Sequence, residues 1–316
     1  MKNSLSRLRD LDKMCRMLMK DMRELIASAE RVIIGAGAGL STAAGLRYDG
    51  PDFEREFTDF IENYGITNLY SSSFYPFETE EEYWACWARH INFIRFREAA
   101  PLYRQLHKLV KDKEYFVITT NVDGQFLKAG FSADRLFEVQ GDYAYLQCAK
   151  GCHDKLYYNE DLIKKMFAET KNCRIPSSLI PRCPVCGEKM TVHVRCDQFF
   201  VEDEAWHSAA NRYFDFLEKS RDKKTVLLEL GVGFNTPTII RFPFEKMVNG
   251  WKNTSLVRIN KDDVQSMYSS KRITAIKDDI SAVLNAIVAL STPSTPQPHI
   301  AVLPLSAVFL RVYDAI

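Results

Sequence analysis

The sequence predicts an α/β fold: a mostly parallel sheet with helices on its faces and a small cysteine-rich module inserted into it. Three observations predict it. Short apolar runs such as "RVIIG", "YFVIT", "TVLLEL" and "TSLVRIN" alternate with stretches of helical pattern, as strands covered on both faces do. A glycine-rich turn follows the first run, which is the strand-to-helix entry of a nucleotide-binding sheet. Five of the eight cysteines fall between 148 and 186, and such clustering points to a metal.

The bulk composition narrows the class. A chain of 316 residues, 46% of them hydrophobic, has room for one large domain or for a large domain with a small insert. Its 26% of charged residues balance to +1 at pH 7, so it carries no broad electrostatic footprint for nucleic acid. The longest apolar runs, "TVLLELGVGF" among them, are too short to span a bilayer. The opening "MKNSLSRLRDLDKMCRMLMKDMREL" is basic at first but lacks the apolar centre of a signal peptide. Asp10, Asp12 and Asp21 argue against a transit peptide. The reading is an amphipathic helix over 1–30 of a cytoplasmic protein, with neither membrane nor nucleic acid as partner.

Each element follows in order. Arg31 to Ile34 form a strand, and a helix is expected to start at Ser41 or Thr42. Between them Gly35, Gly37 and Gly39 permit positive φ and close approach of backbone N–H groups to phosphate. From Tyr48 to about Pro101 the pattern is aromatic and helical, with Trp84, Trp87 and Ile91 on one face. "YFVITTNVDG" is a second buried strand. Its end, Thr119 to Asp123, either caps the next helix or presents Asn121 and Asp123 at the sheet's carboxyl edge, where ligands bind. "RLFEVQGDYAYLQC" holds a third extended segment. "KTVLLELGVGF" and "TSLVRIN" resume the strands, the first running into Gly231 and Gly233 and the second ending in Asn260. "DDISAVLNAIVAL" is the last helix, followed by a proline-rich linker and an apolar tail expected to pack back on the body.

The cysteines between 148 and 197 interrupt this pattern, in a segment with little periodicity. Cys148 and Cys152, then Cys183 and Cys186, form paired knuckles with the spacing of tetrahedral Zn²⁺. Four thiolates fill the coordination sphere, so the zinc is structural. Cys173, His153 and Cys196 are poorer ligands by spacing. A disulfide framework does not suit a chain of this length without an export signal.

Taken in order, these motifs resemble the sirtuin family from about Arg31 to Leu290. "GAGLSTAAG" matches its opening glycine motif, Thr120-Asn121-Val122-Asp123 its Gln-Asn-x-Asp with threonine for glutamine, and the knuckles its zinc module. "GVGFNTP" takes the place of its Gly-Thr-Ser loop, and Asn260 that of its adenosine-ribose asparagine. The resemblance implies a Rossmann-like NAD domain over 31–145 and 197–290, with a helical insertion at 48–101. It implies a zinc module at 146–196, flanked by the helical segment 1–30 and the tail 291–316. It further implies that Gly37, Ala38 and Gly39 cover the pyrophosphate, assisted by Ser41. Asn121 would lie near the nicotinamide ribose, Asp123 near the carboxamide, and Gly231, Gly233 and Asn260 at the adenosine half. The family's Pro-Asp-Phe-Arg reads "RYDG" here, with a displaced "GPDFER", so Arg47 or Arg55 stands for its arginine.

The main departure lies in "EVQGD". Where the family keeps a histidine as general base, this chain has Gln140. Losing a general base costs typically 10²- to 10⁴-fold, and glutamine cannot carry a proton. Deacylation needs that proton transfer; severing the nicotinamide bond is dissociative and depends on positioning and charge. The pattern resembles the macrodomain-linked class of sirtuins, which implies an NAD-dependent protein ADP-ribosyltransferase with Asn121 and Gln140 as its catalytic pair. The implied acceptor is a lipoylated carrier related to the glycine-cleavage H protein, and the implied reversing partner a macrodomain hydrolase. Two alternatives are an NAD-dependent deacylase, in which Asp142 or His153 replaces the base, and a silent NAD-binding sensor.

Overall fold

The computed structural model describes residues 2–289, with side chains from Lys13 onward. The linker and apolar tail expected over 291–316 lie outside the described residues. The elements begin with α1 (Lys2–Ser28), β1 (Arg31–Ala36), α2 (Ala38–Ala43), α3 (Pro51–Glu56), α4 (Thr58–Tyr64), α5 (Leu69–Ser72), α6 (Glu80–Ile94) and α7 (Pro101–Val110). Then come β2 (Glu114–Thr119), α8 (Gln125–Lys128), β3 (Leu136–Glu138), β4 (Gly141–Cys148), β5 (Tyr157–Tyr158), α9 (Glu160–Glu169) and β6 (Met190–Val194). The series ends with α10 (Glu204–Ser220), β7 (Thr225–Leu230), α11 (Arg241–Gly250), β8 (Thr254–Asn260), β9 (Ile273–Lys277) and α12 (Ile280–Ala289). No described helix is long and apolar enough to cross a membrane.

A six-stranded sheet runs in the order β3-β2-β1-β7-β8-β9. The chain divides into two compact units, one of residues 1–40, 104–117 and 215 onward, the other of 41–103 and 118–214. In the first unit β1, β7, β8 and β9 pair in parallel, with Arg31 opposite Thr225, Thr225 opposite Thr254 and Leu256 opposite Ile273. Every residue of β7 is buried, which is why "TVLLEL" reads as a continuous apolar run. Its buried polar residues are Thr225 and Glu229, and the Glu229 carboxylate receives Arg258 Nε at 2.7 Å and Nη2 at 2.9 Å. Arg258 also reaches Glu245 at 2.7 Å, so Glu229 and Glu245 share one buried guanidinium.

The second unit is built on α3 to α6 and a small antiparallel sheet of order β5-β4-β6. Its core is aromatic: Phe53 stacks on Phe57, Phe57 lies tilted against Phe60, and Trp84 is buried. Burying one tryptophan removes about 150–250 Å² from water, an upper estimate of about 4–6 kcal/mol. A capping box starts α6, where Glu82 N donates to Thr79 Oγ1 at 3.3 Å and Thr79 N to Glu82 Oε2 at 3.1 Å.

Three expectations change. The helix expected at Ser41 or Thr42 starts at Ala38, directly after Gly37, so that Gly39 lies inside it. The single extended segment in "RLFEVQGDYAYLQC" is two strands, β3 and β4, in different sheets, with Val139 and Gln140 as the break. The segment read as lacking periodicity contains α9 and β6, short elements flanked by the cysteine turns that dominate its composition.

Candidate active site

The second unit contains Ser41, Asn121, Asp123 and Gln140, which come from three separate stretches of chain. After β2, Asn121 N donates to Thr119 Oγ1 at 3.0 Å and Gln125 N to Asp123 Oδ1 at 3.0 Å. Asp123 Oδ1 thus closes an Asx turn at the entry of α8, whose N-cap position is Gly124 with no side-chain cap. Its other oxygen, Oδ2, accepts from Ser41 Oγ at 2.6 Å. Ser41 Oγ lies 3.0 Å from Tyr103 OH, and Asn121 Nδ2 donates to the same phenol at 3.3 Å. Asn121 and Asp123 are 7% and 4% exposed. Burial raises the Asp123 carboxyl above its ordinary range, against the Ser41 and Gln125 donors that lower it. Tyr103 was not singled out from sequence. Its signal was a tyrosine on the apolar face of a helix, since a buried phenol requires a partner.

Gln140 lies in the break between β3 and β4. Val139 N donates to Thr119 O at 3.1 Å, and Gln140 O accepts from Arg195 N at 3.0 Å. Gly141 must be glycine: its φ is +94°, and a Cβ there would lie 2.2 Å from His193 O. The backbone around Gln140 is thus fixed on both sides. Its side-chain Oε1 is buried and has no hydrogen-bond partner. Buried acceptors are nearly always satisfied, which leaves this atom open to a donor brought beside it. Arg195 also went unnoticed in the sequence; its guanidinium stacks 4.1 Å from the Phe200 ring centre and bonds Glu202 at 2.5 Å.

A buried guanidinium ties these segments together. Arg95 donates to Asp142 through Nε at 2.6 Å and Nη2 at 2.9 Å, with side-chain exposures of 10% and 9%. Asp142 Oδ1 also accepts from Ala144 N at 2.8 Å. The same guanidinium lies over Gly124, where a Cβ would come within 2.3 Å of Arg95 Cζ. Tyr143 N donates to Val122 O at 3.0 Å, a further link between the two segments. The carboxyl of Glu138 is enclosed, and burial and then Asp142 push it well above its ordinary range.

In the first unit the glycines interlock. Gly231 has φ +62°, and a Cβ on it would lie 2.4 Å from Leu40 N. Cβ atoms on Gly37 or Gly39 would each meet Gly231 at 2.7 Å. Gly37 N donates to Leu230 O and Gly39 N to Gly231 O, both at 3.0 Å. In the fold these glycines let two turns touch, and the Gly37 and Gly39 N–H groups donate to backbone carbonyls of the second turn. Gly233 is exposed and its α-carbon faces open space. Asn260 donates from Nδ2 to Val232 O at 3.0 Å and accepts Asp262 N at 3.0 Å, so its amide holds the loops after β7 and β8. Arg47 is exposed and forks onto Asp49, while Arg55 is exposed and pairs with Asp52 and Glu56.

The metal site forms as its spacing implied. The Sγ atoms of Cys148, Cys152, Cys183 and Cys186 all lie within 4.8 Å of one another. Cys148 and Cys186 are 3.6 Å apart, as are Cys152 and Cys183. Zn–S bonds of about 2.3 Å in a tetrahedron place sulfurs about 3.8 Å apart, so the set fits structural zinc. His153 stands outside the four; its Nδ1 is 3.0 Å from Cys152 Sγ and its Nε2 3.0 Å from Tyr157 OH. Cys173 is elsewhere, at φ 59° in a two-residue turn, accepting from Asn63 Nδ2 at 3.7 Å.

Comparison with known proteins agrees with this architecture. The sequence profile of the Sir2 family matches residues 37–223. A protein ADP-ribosyltransferase of Staphylococcus aureus (strain Mu50 / ATCC 700699) is 36% identical over 280 residues, 87% of this chain and 88% of the relative. A probable bifunctional ADP-ribose hydrolase/ADP-ribosyltransferase of Fusarium oxysporum f. sp. cubense is 36% identical over 242 residues, 72% of this chain but 39% of the relative. The solved structure of Sir2Tm bound to a propionylated peptide superposes with a TM-score of 0.57 at 18% identity, covering 86% of this chain and 98% of that one.

Proposed function

The chain belongs to the Sir2 family, and from that premise we propose that it is an NAD-dependent protein mono-ADP-ribosyltransferase. It transfers ADP-ribose from NAD to an acceptor protein and releases nicotinamide. The observation that carries the reading is Gln140, whose buried Oε1 lacks a partner. It can accept a hydrogen bond from a ribose hydroxyl but has no basic nitrogen to take the proton. Cleavage of the nicotinamide bond builds positive charge on the ribose, and the buried polar groups around Asn121 and Asp123 suit that charge. An acceptor that is already ionised, such as a carboxylate, then attacks without a base. Ser41, Asp123, Gly37, Ala38, Gly39, Arg47, Gly231, Gly233 and Asn260 line NAD in this reading.

The deacylase alternative needs a substitute base, and both candidates are engaged. Asp142 has both oxygens on Arg95, and His153 bridges a zinc-ligand thiol and Tyr157. The carrier reading extends the proposal: the acceptor is a lipoylated carrier related to the glycine-cleavage H protein, with a macrodomain hydrolase as reversing partner. The Fusarium relative, named for both hydrolase and transferase, supports such a pairing. Incubation with labelled NAD and a purified lipoylated carrier tests it. Label retained on the carrier, lost in Asn121→Ala, is expected. Rapid stripping of an acyl-lysine panel with no labelled protein would refute it.

A further inference from the structure

We propose that Tyr103 is a positioning residue, the central link of a one-way hydrogen-bond chain that runs from Asn121 through Tyr103 and Ser41 to Asp123 and fixes which way the Asn121 amide faces. The inference deepens the transferase reading, since it concerns how the candidate catalytic asparagine is oriented.

The direction follows from counting protons. An ionised Asp123 can only accept, so Ser41 gives its single hydroxyl proton to Asp123 Oδ2 at 2.6 Å. Ser41 Oγ is then the acceptor for Tyr103 OH at 3.0 Å. Tyr103, its own proton used, accepts from Asn121 Nδ2 at 3.3 Å. Tyr103 also interacts with Asp123 directly, and whether its proton goes to Ser41 Oγ or to that carboxylate, its oxygen is left to accept, so the amide nitrogen is held toward Tyr103 and Oδ1 is the acceptor on the opposite arm. All four groups are buried, where such a network is strongest and an unmatched member is most disfavoured. The phenol stays protonated at any working pH, because burial and then Asp123 raise it well above its ordinary range.

The far end of the chain titrates. Asp123 is raised by burial; Arg95 and Lys128 favour its ionised form, and Asp142 and Glu138 oppose it. Tyr48 and Tyr143 also face it and stay neutral. Protonated Asp123 becomes a donor and reverses every link by rotation of hydroxyls alone: Asp123 gives to Ser41, Ser41 to Tyr103, and Tyr103 points its proton at an N–H. Asn121 then loses its hydrogen bond to Tyr103. Low pH therefore changes the hydrogen bonding of the amide without any group moving far.

Selective ¹⁵N-asparagine labelling of the full chain tests this directly, with the Asn121 side-chain signals identified by their loss in Asn121→Ala. In the wild type these signals are expected to move with pH as Asp123 titrates; in Tyr103→Phe they do not. Nicotinamide release from NAD is expected to fall on the order of 10²-fold in kcat in that variant, with KM nearly unchanged, as for a misplaced reacting group. The acid limb of kcat should flatten with it. Ser41→Ala cuts the same chain one link on and gives the same Asn121 signature should Tyr103→Phe fold poorly. Asn121 signals that titrate alike in wild type and variant, or a kcat within twofold of wild type, would overturn the proposal. A wild type that releases no nicotinamide overturns the transferase reading instead, and the spectra still decide the chain.

Discussion

Removing either partner of the Arg95–Asp142 pair should destabilise the second unit more than any surface change. Both side chains are about nine-tenths buried and meet through two bonds at 2.6 and 2.9 Å, so neither charge can be rescued by water after its partner is deleted. Leaving one charge of such a pair uncompensated costs about 3–5 kcal/mol, against a total stability of about 5–15 kcal/mol. Arg95→Met should be the worse of the two, because Asp142, Glu138 and Asp123 would then share a buried region without their guanidinium. Asp142→Ala strands the cation, and the double variant Arg95→Met/Asp142→Leu should recover most of the loss. Urea unfolding followed by fluorescence reports the relevant region, because Trp84, Trp87 and Trp206 of the four tryptophans lie in the second unit. With a slope of about 3 kcal/mol per molar urea, the midpoint should fall by about 1–1.7 M in each single variant. Single variants that each lose under about 1 kcal/mol, with losses that add in the double variant, would refute the buried-pair reasoning.

Three further outcomes are expected. Gly124→Ala should destabilise by at least about 2 kcal/mol in the same unfolding assay, since its φ is +62° and the new methyl displaces the Arg95 guanidinium. Glu138→Gln should stabilise the protein at neutral pH. The native carboxyl binds its proton more tightly than the unfolded one, so wild-type stability falls as pH rises above the ordinary glutamate range, and the amide removes that slope in pH-dependent melts. Metal analysis should find one zinc per chain; chelation or Cys148→Ser should lower the melting temperature and abolish zinc retention, whereas Cys173→Ser should leave zinc content unchanged.

Local chemistry that repeats along the chain was legible without coordinates. Buried parallel strands are apolar throughout, a glycine turn must follow the first of them, and four thiolates at knuckle spacing have few other uses, so β1, β2, β7, β8 and the zinc ligands could be read directly. Gln140 was visible as a departure because the residues around it keep their order. Which partner each polar group meets was not legible. Tyr103 and Ser41 are 62 residues apart, Arg95 and Asp142 are 47 apart, and neither spacing has a period that a helix or strand would impose. The same holds for the glycines, whose close approach to a second turn almost 200 positions away no local motif announces. Sequence settles what is repeated or adjacent, because backbone geometry enforces it; only the folded packing of distant segments decides which buried donor finds which acceptor.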